Sequence, residues 1–211
     1  MSTEAADRTA DERPAGAEGE AAAAPGSNED TVKIILLGDS AVGKSKLVER
    51  FLMDDYQPQQ LSTYALTLFR HNAEVEGKPI AVDFWDTAGQ ERFQNLHPSY
   101  FHGAHCCVLV FDCTRKVTYT NLSKWYSELQ ENRYGIPVVV VANKIDVDYR
   151  VTRKNFAFAS KRNLPFFFVS ASDGTNVVQL FTEAIRLAVD CKQNPPEGDF
   201  VQDVLDLLGD K

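Results

Sequence analysis

Apolar residues gather in short runs between residues 31 and 192, and two spacings alternate along this part of the chain. Short apolar runs, bounded by polar or turn residues, predict six strands. These strands are predicted at residues 32–37, 64–74, 79–85, 105–111, 138–142 and 166–169. Helices are predicted between and after them, at residues 44–53, 119–132, 152–162 and 177–189. In the second and fourth of these segments the apolar positions have clear helical spacing.

The connections between the predicted strands indicate how the sheet is built. Glu76-Gly77-Lys78 joins the second and third strands and is typical of a hairpin. The other strands alternate with helices, which favours a parallel sheet with helices on both faces. The sequence therefore predicts an α/β fold with a six-stranded, mostly parallel sheet. In such sheets ligands bind at the carboxyl ends of the strands.

Both ends of the chain differ in composition from the middle. Residues 1–30 carry eight acidic residues and two arginines, a net charge of −6, with almost no large apolar side chains. We therefore expect a disordered acidic extension there. Residues 193–211 form an acidic tail in which apolar residues recur at helical steps: Phe200, Val201, Val204, Leu205 and Leu208. This segment predicts a short amphipathic helix that either docks on a partner or packs on its own domain.

Net charge and cysteine usage restrict the class of protein. The chain has 211 residues and a formal net charge of −8, which argues against nucleic acid as the main partner. None of its four cysteines shows metal-ligand spacing, so we interpret them as reduced, mostly buried thiols of a cytoplasmic protein. We find no apolar run of membrane-spanning length and no signal-peptide pattern.

The string GDSAVGKS, at residues 38–45, is the first candidate for chemistry, and we call it the phosphate loop. It matches G-x-x-x-x-G-K-[ST] between a predicted strand and a predicted helix, where inward amide N–H groups can bind phosphate. Lys44 can reach the β- and γ-phosphates, and the Ser45 hydroxyl can bind Mg²⁺. The nucleotide-binding residues predicted in and beside this loop are Ser40, Ala41, Val42, Gly43, Lys44, Ser45 and Lys46.

The string DTAGQ, at residues 86–90, follows the third predicted strand. Asp86 can hold Mg²⁺ through water, and the Gly89 N–H can contact a terminal phosphate only when that phosphate is present. Gln90 can orient an attacking water. Gln90 and Lys44 are therefore the predicted catalytic residues.

The string NKID, at residues 143–146, follows the fifth predicted strand and can recognise guanine. The Asp146 carboxylate can accept hydrogen bonds from guanine N1–H and the 2-amino group, which adenine lacks. Asn143 and Lys144 complete this site, and after the sixth strand Ser170 and the Ala171 N–H complete it from the other side. The three strings in this order predict a protein that binds and hydrolyses GTP.

With these strings in place, residues 31–192 resemble the Ras superfamily of small GTPases, which have a P-loop fold. Residues 85–93, WDTAGQERF, resemble the Rab branch closely. The segments at residues 57–68, 115–119 and 170–178 resemble the Rab-like 2 subfamily, whose members are associated with cilia.

The resemblance implies further nucleotide contacts. Thr63 would bind Mg²⁺ and the γ-phosphate together with Ser45 and Asp86, and Tyr56 would pack on the base. The bound cofactors would be GTP or GDP with Mg²⁺.

The resemblance also implies partners and a location. Leu68, Trp85 and Tyr100 would form the apolar triad through which Rab proteins meet effectors, although ordinary strand packing explains these residues equally well. The GTP form would work with the intraflagellar-transport complex and a recruiting protein at the ciliary base. We therefore expect a cytoplasmic protein found at the cilium, the centrosome and the basal body.

Several features depart from the usual Rab pattern. Ala41 stands where many Rab proteins have a glycine, and Ser172 where many have a lysine. The last cysteine is Cys191, so we expect no C-terminal lipid anchor. Residues 54–63 contain no arginine, so we expect slow hydrolysis without an activating protein. Two alternatives stay open: a conventional vesicle-trafficking Rab, and a GTP-binding interaction module with negligible hydrolysis.

Overall fold

The computed structural model describes residues 31–52, 66–87 and 98–196, and within them six strands form one sheet. The strands are β1 (Thr31–Leu37), β2 (Leu66–Val75), β3 (Lys78–Thr87), β4 (Cys106–Asp112), β5 (Val138–Asn143) and β6 (Phe166–Phe168). Their order across the sheet is β2-β3-β1-β4-β5-β6. Only the β2–β3 pair is antiparallel among these neighbours. The predicted mostly parallel α/β sheet is confirmed.

Five helices accompany the sheet in the described residues. They are α1 (Lys44–Leu52), α2 (Lys116–Thr120), α3 (Leu122–Asn132), α4 (Ala157–Ser160) and α5 (Val177–Gln193). The helix predicted at residues 119–132 is confirmed as α3 from Leu122 onward, but its predicted start is wrong, because Tyr119 and Thr120 belong to α2 and the two helices meet at Asn121. At this junction the side chain of Asn121 donates a hydrogen bond to Asp39, 82 residues away.

The helix predicted at residues 152–162 is also wrong. Its place is taken by a 3₁₀ segment, Tyr149–Arg153, and the one-turn helix α4. Between them Phe156 is extended, at φ −102° and ψ 93°, and its ring stacks on Phe166 with centroids 5.7 Å apart. Burial of this ring against the sheet therefore takes precedence over a continuous helix.

Two apolar cores lie on opposite faces of the sheet. Successive residues of a strand face opposite sides, and Ile34 packs in the core with α1 and α5 while Ile35 packs in the core with α3. Both side chains are fully buried. The central strands are thus covered on both faces, which explains their continuous apolar runs.

Other sequence predictions have mixed outcomes. Cys106, Cys107 and Cys191 are buried and Cys113 is half-buried, all as free thiols, as predicted. The extension at residues 1–30 and the amphipathic segment at residues 200–208 lie outside the described residues. Among the helices described, none combines the length and apolar character needed to cross a membrane.

The strand register brings the carboxyl ends of four strands to one edge. Leu36 of β1 lies beside Asp86 of β3, and Asp112 of β4 lies beside Asn143 of β5. The phosphate loop leaves β1 at this same edge, so three polar strand ends surround it.

Candidate nucleotide-binding site

Two glycines of the phosphate loop leave room for neighbouring atoms. The Val110 backbone approaches Gly38, and the Asn143 side chain approaches Gly43. Gly38 has φ +140°, and a Cβ there would lie 2.1 Å from the carbonyl oxygen of Val110. Gly43 has φ +98°, and a Cβ there would lie 2.4 Å from Nδ2 of Asn143. Both positions therefore require glycine, because any side chain would collide and its backbone would be strained.

Three successive carbonyls of the phosphate loop are held by side chains from outside it. Each hydrogen bond is 2.8 Å long: Arg115 Nη2 donates to Ser40 O, Lys144 Nζ to Ala41 O, and Asn143 Nδ2 to Val42 O. In a trans peptide the N–H points away from the C=O. The N–H groups of the three following residues therefore face the opposite, inner side of the loop and form a concave site for an anion.

Ala41 has the backbone conformation that such an anion site needs. Its φ is +58°, in the left-handed region, where a residue with a side chain is strained. This is the position at which the sequence departs from the glycine of many Rab proteins. The surrounding hydrogen bonds therefore hold an alanine in a conformation that glycine would adopt without strain.

Lys44 and Ser45 are the last two residues of the phosphate loop and begin α1. Lys44 is buried, and its Nζ donates hydrogen bonds to Gly38 O at 2.8 Å and Asp39 O at 3.0 Å. The Ser45 hydroxyl donates to Oδ2 of Asp86, which is fully buried at the end of β3. A hydroxyl and a carboxylate side by side are the oxygen ligands that Mg²⁺ prefers.

The NKID residues join the phosphate loop to the residues after β6. Oδ1 of Asn143 accepts hydrogen bonds from Lys144 N at 2.8 Å and from Ala171 N at 3.1 Å. Asp146 accepts a hydrogen bond from the Ser170 hydroxyl at 2.7 Å. The structure thus brings all five predicted guanine-site residues together, with the Ala171 N–H already bonded to Asn143.

Other predicted site residues fall elsewhere. Lys46 pairs its side chain with Glu49 at 2.7 Å, so a phosphate contact from Lys46 would come from its backbone N–H in the first turn of α1. Four predicted residues lie outside the described part of the chain: Tyr56, Thr63, Gly89 and Gln90.

Asp112 is a site residue that the sequence reasoning missed. It is 2% exposed and accepts hydrogen bonds from Thr114 and Arg115, while Lys144 Nζ lies 2.9 Å from its Oδ2. Burial alone would raise its pKa, but the hydrogen bonds from Thr114 and Lys144 keep the pKa of Asp112 below its usual value. Its position as the last residue of a buried strand, like that of Asn143, is the signal that could have found it.

Asp39 and Arg50 also support the site, although neither was predicted from the sequence to be a site residue. Asp39 is 2% exposed and accepts hydrogen bonds from Trp125 and Asn121 of the α2–α3 region. Arg50 of α1 donates from Nε to Ala171 O at 3.2 Å. We call residues 170–174 the base loop, and Arg50 therefore ties α1 to it.

Only part of the predicted effector triad is exposed to solvent. Leu68 is 52% exposed and lies opposite Trp85 in the β2–β3 register. The rings of Trp85 and Tyr100 are 6.0 Å apart. Tyr100, however, is 5% exposed, and its hydroxyl donates to Trp85 O at 2.6 Å. The three residues lie together, but Tyr100 supports the surface from beneath.

Lys33 of β1 lies over the Trp85 ring. Its Nζ lies 3.5 Å from the ring centroid and donates a hydrogen bond to His102 O at 2.8 Å. Burial and the positive charge of Arg133 lower the pKa of Lys33 to about 8. Below that pH the ammonium makes a cation–π contact with the ring.

Comparison with known proteins gives the family. Residues 33–190 match the Ras family. Rab-like protein 2A of Homo sapiens is 67% identical over 180 residues, which cover 85% of this chain and 78% of that protein. Rab-like protein 2B of Homo sapiens is 66% identical with the same coverage. The GTP-binding protein ypt1 of Schizosaccharomyces pombe is 41% identical over 160 residues, 73% of this chain and 78% of that protein. The chain belongs to the Ras family of small GTPases and, within it, to the Rab-like 2 subfamily.

Proposed function

We propose that this GTPase cycles between GTP and GDP at the carboxyl edge of its sheet. The observation that carries the proposal is the phosphate loop, whose three outward carbonyls leave three N–H groups facing inward. The residues proposed to hold the phosphates are Ser40, Ala41, Val42, Gly43, Lys44, Ser45 and Lys46. The residues proposed to hold guanine are Asn143, Lys144, Asp146, Ser170 and Ala171, with Tyr56 packed on the base.

Mg²⁺ is proposed to bind next to the phosphates. Ser45 and Asp86 already lie in contact, and their oxygen donors suit this ion. Thr63 would add a third ligand when GTP is bound. The ion supplies charge stabilisation for the transferred phosphoryl group.

Few protein groups would take part in the proposed hydrolysis step. The Lys44 ammonium, now bonded to two loop carbonyls, would exchange them for phosphate oxygens. Gln90 would orient water in line with the γ-phosphate. Loss of that phosphate would release Thr63 and Gly89, and partners would distinguish the two forms by this change. An arginine from an activating protein can accelerate such a reaction by about 10⁵-fold.

Single-turnover GTP hydrolysis by the purified protein tests this assignment. We expect Gln90→Leu to slow hydrolysis while GTP binding persists, and Ser45→Asn to weaken retention of Mg·GTP. Gln179→Leu and Ser123→Asn change exposed residues of α5 and α3 in the same way and serve as controls. Unchanged hydrolysis in Gln90→Leu would remove Gln90 from the mechanism. A parent protein that holds GTP without turning it over would favour the binding-module alternative.

The cellular role is proposed from the resemblance to Rab-like 2 proteins. In this role the GTP form recruits the intraflagellar-transport complex at the ciliary base, with help from a recruiting protein there. Leu68, which is half-exposed beside Trp85, is the residue through which we expect effectors to bind.

A pull-down from ciliated cells tests the role. GTP-loaded parent protein should retain transport-complex components that GDP-loaded protein and Leu68→Glu do not. Glu74→Lys, an exposed change on the same strand, is the control. Retention of vesicle-tethering proteins instead would favour the conventional Rab alternative.

A further inference from the structure

Arg115 connects the phosphate loop to the end of β4. It lies directly before α2, and its Nε donates a hydrogen bond to Oδ2 of Asp112 at 3.0 Å. Its Nη2 donates a hydrogen bond to Ser40 O at 2.8 Å. The planar fork of an arginine suits such a bridge between two acceptors. The two acceptors are 72 residues apart in sequence, so only the fold brings them within one side chain's reach.

The peptide that Arg115 holds is next to the strained residue of the loop. The carbonyl of this peptide belongs to Ser40 and its N–H to Ala41, which has φ +58°. The following carbonyl, Ala41 O, is held by Lys144. The carbonyls of Ser40 and Ala41, one on each side of the Ala41 Cα, thus each accept a hydrogen bond from a cationic side chain. A strained backbone conformation persists only where its surroundings hold it, so each of these two bonds helps to keep the loop's N–H groups facing inward.

Both cations are anchored by the same carboxylate. Asp112 is buried and bonds Arg115 Nε and Lys144 Nζ through its Oδ2, while its Oδ1 accepts hydrogen bonds from Thr114. Lys144 belongs to the NKID string and serves the guanine site. Arg115 belongs to none of the three strings, and its side chain donates hydrogen bonds to Ser40 of the loop and to Asp112.

We propose that Arg115 is a positioning residue for nucleotide binding, which holds the Ser40–Ala41 peptide with its N–H toward the phosphates and so slows nucleotide release. This inference rests on the proposed nucleotide site. Loss of one hydrogen bond from a charged donor corresponds to about a tenfold change in an equilibrium or rate.

The test measures release of a fluorescent GDP analogue from the full chain with Mg²⁺ present. We expect Arg115→Ala to release the analogue about tenfold faster than the parent. Arg115→Lys, which keeps one charged donor, should restore part of the difference. Lys116→Ala removes the same charge from the exposed neighbouring position and should release at the parent rate. Single-turnover hydrolysis of GTP already bound should proceed at the parent rate in Lys116→Ala.

The outcomes separate this inference from the proposed site. If the parent does not bind the GDP analogue, the proposed nucleotide site is wrong. If the parent binds it and Arg115→Ala releases it at the parent rate, the site stands and the role of Arg115 is wrong. If Lys116→Ala also releases the analogue faster than the parent, the effect is not specific to Arg115. If Arg115→Lys releases it as fast as Arg115→Ala, and both lose the same thermal stability, Arg115 has only a structural role. Since Asp112 keeps Thr114 and Lys144, we expect Arg115→Ala to fold.

Discussion

The indole Nε1 of Trp125 donates a hydrogen bond of 2.7 Å to Oδ1 of Asp39, and so joins α3 to the phosphate loop. Asp39 is almost completely buried, and its other oxygen accepts a hydrogen bond from Asn121 at 2.8 Å. A buried carboxylate is stable only when its oxygens are bonded. The helix and the loop therefore support each other.

Trp125→Phe should lower the free energy of unfolding by about 1–3 kcal/mol, because Asp39 would stay buried with one oxygen lacking its donor. Phenylalanine keeps most of the apolar contact of α3. Urea unfolding of the nucleotide-free protein measures the change. Tyr126→Phe removes a polar group from the next position of the same helix, and we expect less than about 0.5 kcal/mol there. Equal effects in the two variants would show that the indole bond contributes nothing.

Ala41→Gly should stabilise the protein. The left-handed conformation costs a residue with a side chain about 1–2 kcal/mol, and the greater freedom of glycine in the unfolded chain offsets part of this gain. We expect the free energy of unfolding to rise by about 0.5–1 kcal/mol. Ala184→Gly, the same change inside α5, should instead lower it by about 1 kcal/mol or more. A loss of stability in Ala41→Gly would contradict the left-handed backbone at this position.

Arg50→Met should speed the release of GDP. Arg50 holds the base loop through Ala171 O at 3.2 Å and through Ser172 O, and methionine keeps its apolar stem but no donor. Loss of these bonds should increase the release rate by about five- to tenfold. Arg186→Met removes an arginine that pairs with nearby Glu183 on the surface of α5, at 2.8 Å, and should leave release unchanged. Stopped-flow fluorescence of a GDP analogue gives both rates.

His105 should make stability depend on pH. Burial and the charges of Lys192, Arg133 and Lys33 lower the pKa of His105 from 6.5 to about 4. Between these values the unfolded chain binds a proton that the folded protein does not. Stability is therefore fully present above pH 6.5 and falls as the pH decreases toward about 4.

His105→Asn should flatten this dependence. Asparagine can still accept the hydrogen bond that Lys33 N donates to the ring at 2.9 Å, but it does not titrate. Urea unfolding from pH 7 to pH 5 measures both slopes. Over this pH range the difference between parent and variant cannot exceed about 2 kcal/mol and should be smaller, since the ring is not fully buried. Parallel plots of unfolding free energy against pH for the two proteins would show that His105 is not the source of the pH dependence.

Particular residues show which strands and helices could be predicted from the sequence. Continuous apolar runs identified β1, β4 and β5, because strands covered on both faces must be apolar at every position. The same reasoning failed at residues 152–162, which were predicted to form one helix. There the ring of Phe156 packs on Phe166 of another element, and only the folded sheet provides that surface.

The sequence by itself determined the fold class, the three motif strings and the edge of the sheet where they meet, because these depend on local patterns and on the rule for parallel strands. The tertiary structure alone decided which side chains hold the phosphate loop. Arg115 reaches Ser40 across 75 residues and Trp125 reaches Asp39 across 86. Neither pair has a local pattern that could reveal it. Their contacts arise because parallel strands place distant carboxyl ends side by side, where the carbonyl and carboxylate oxygens of the phosphate loop need donors.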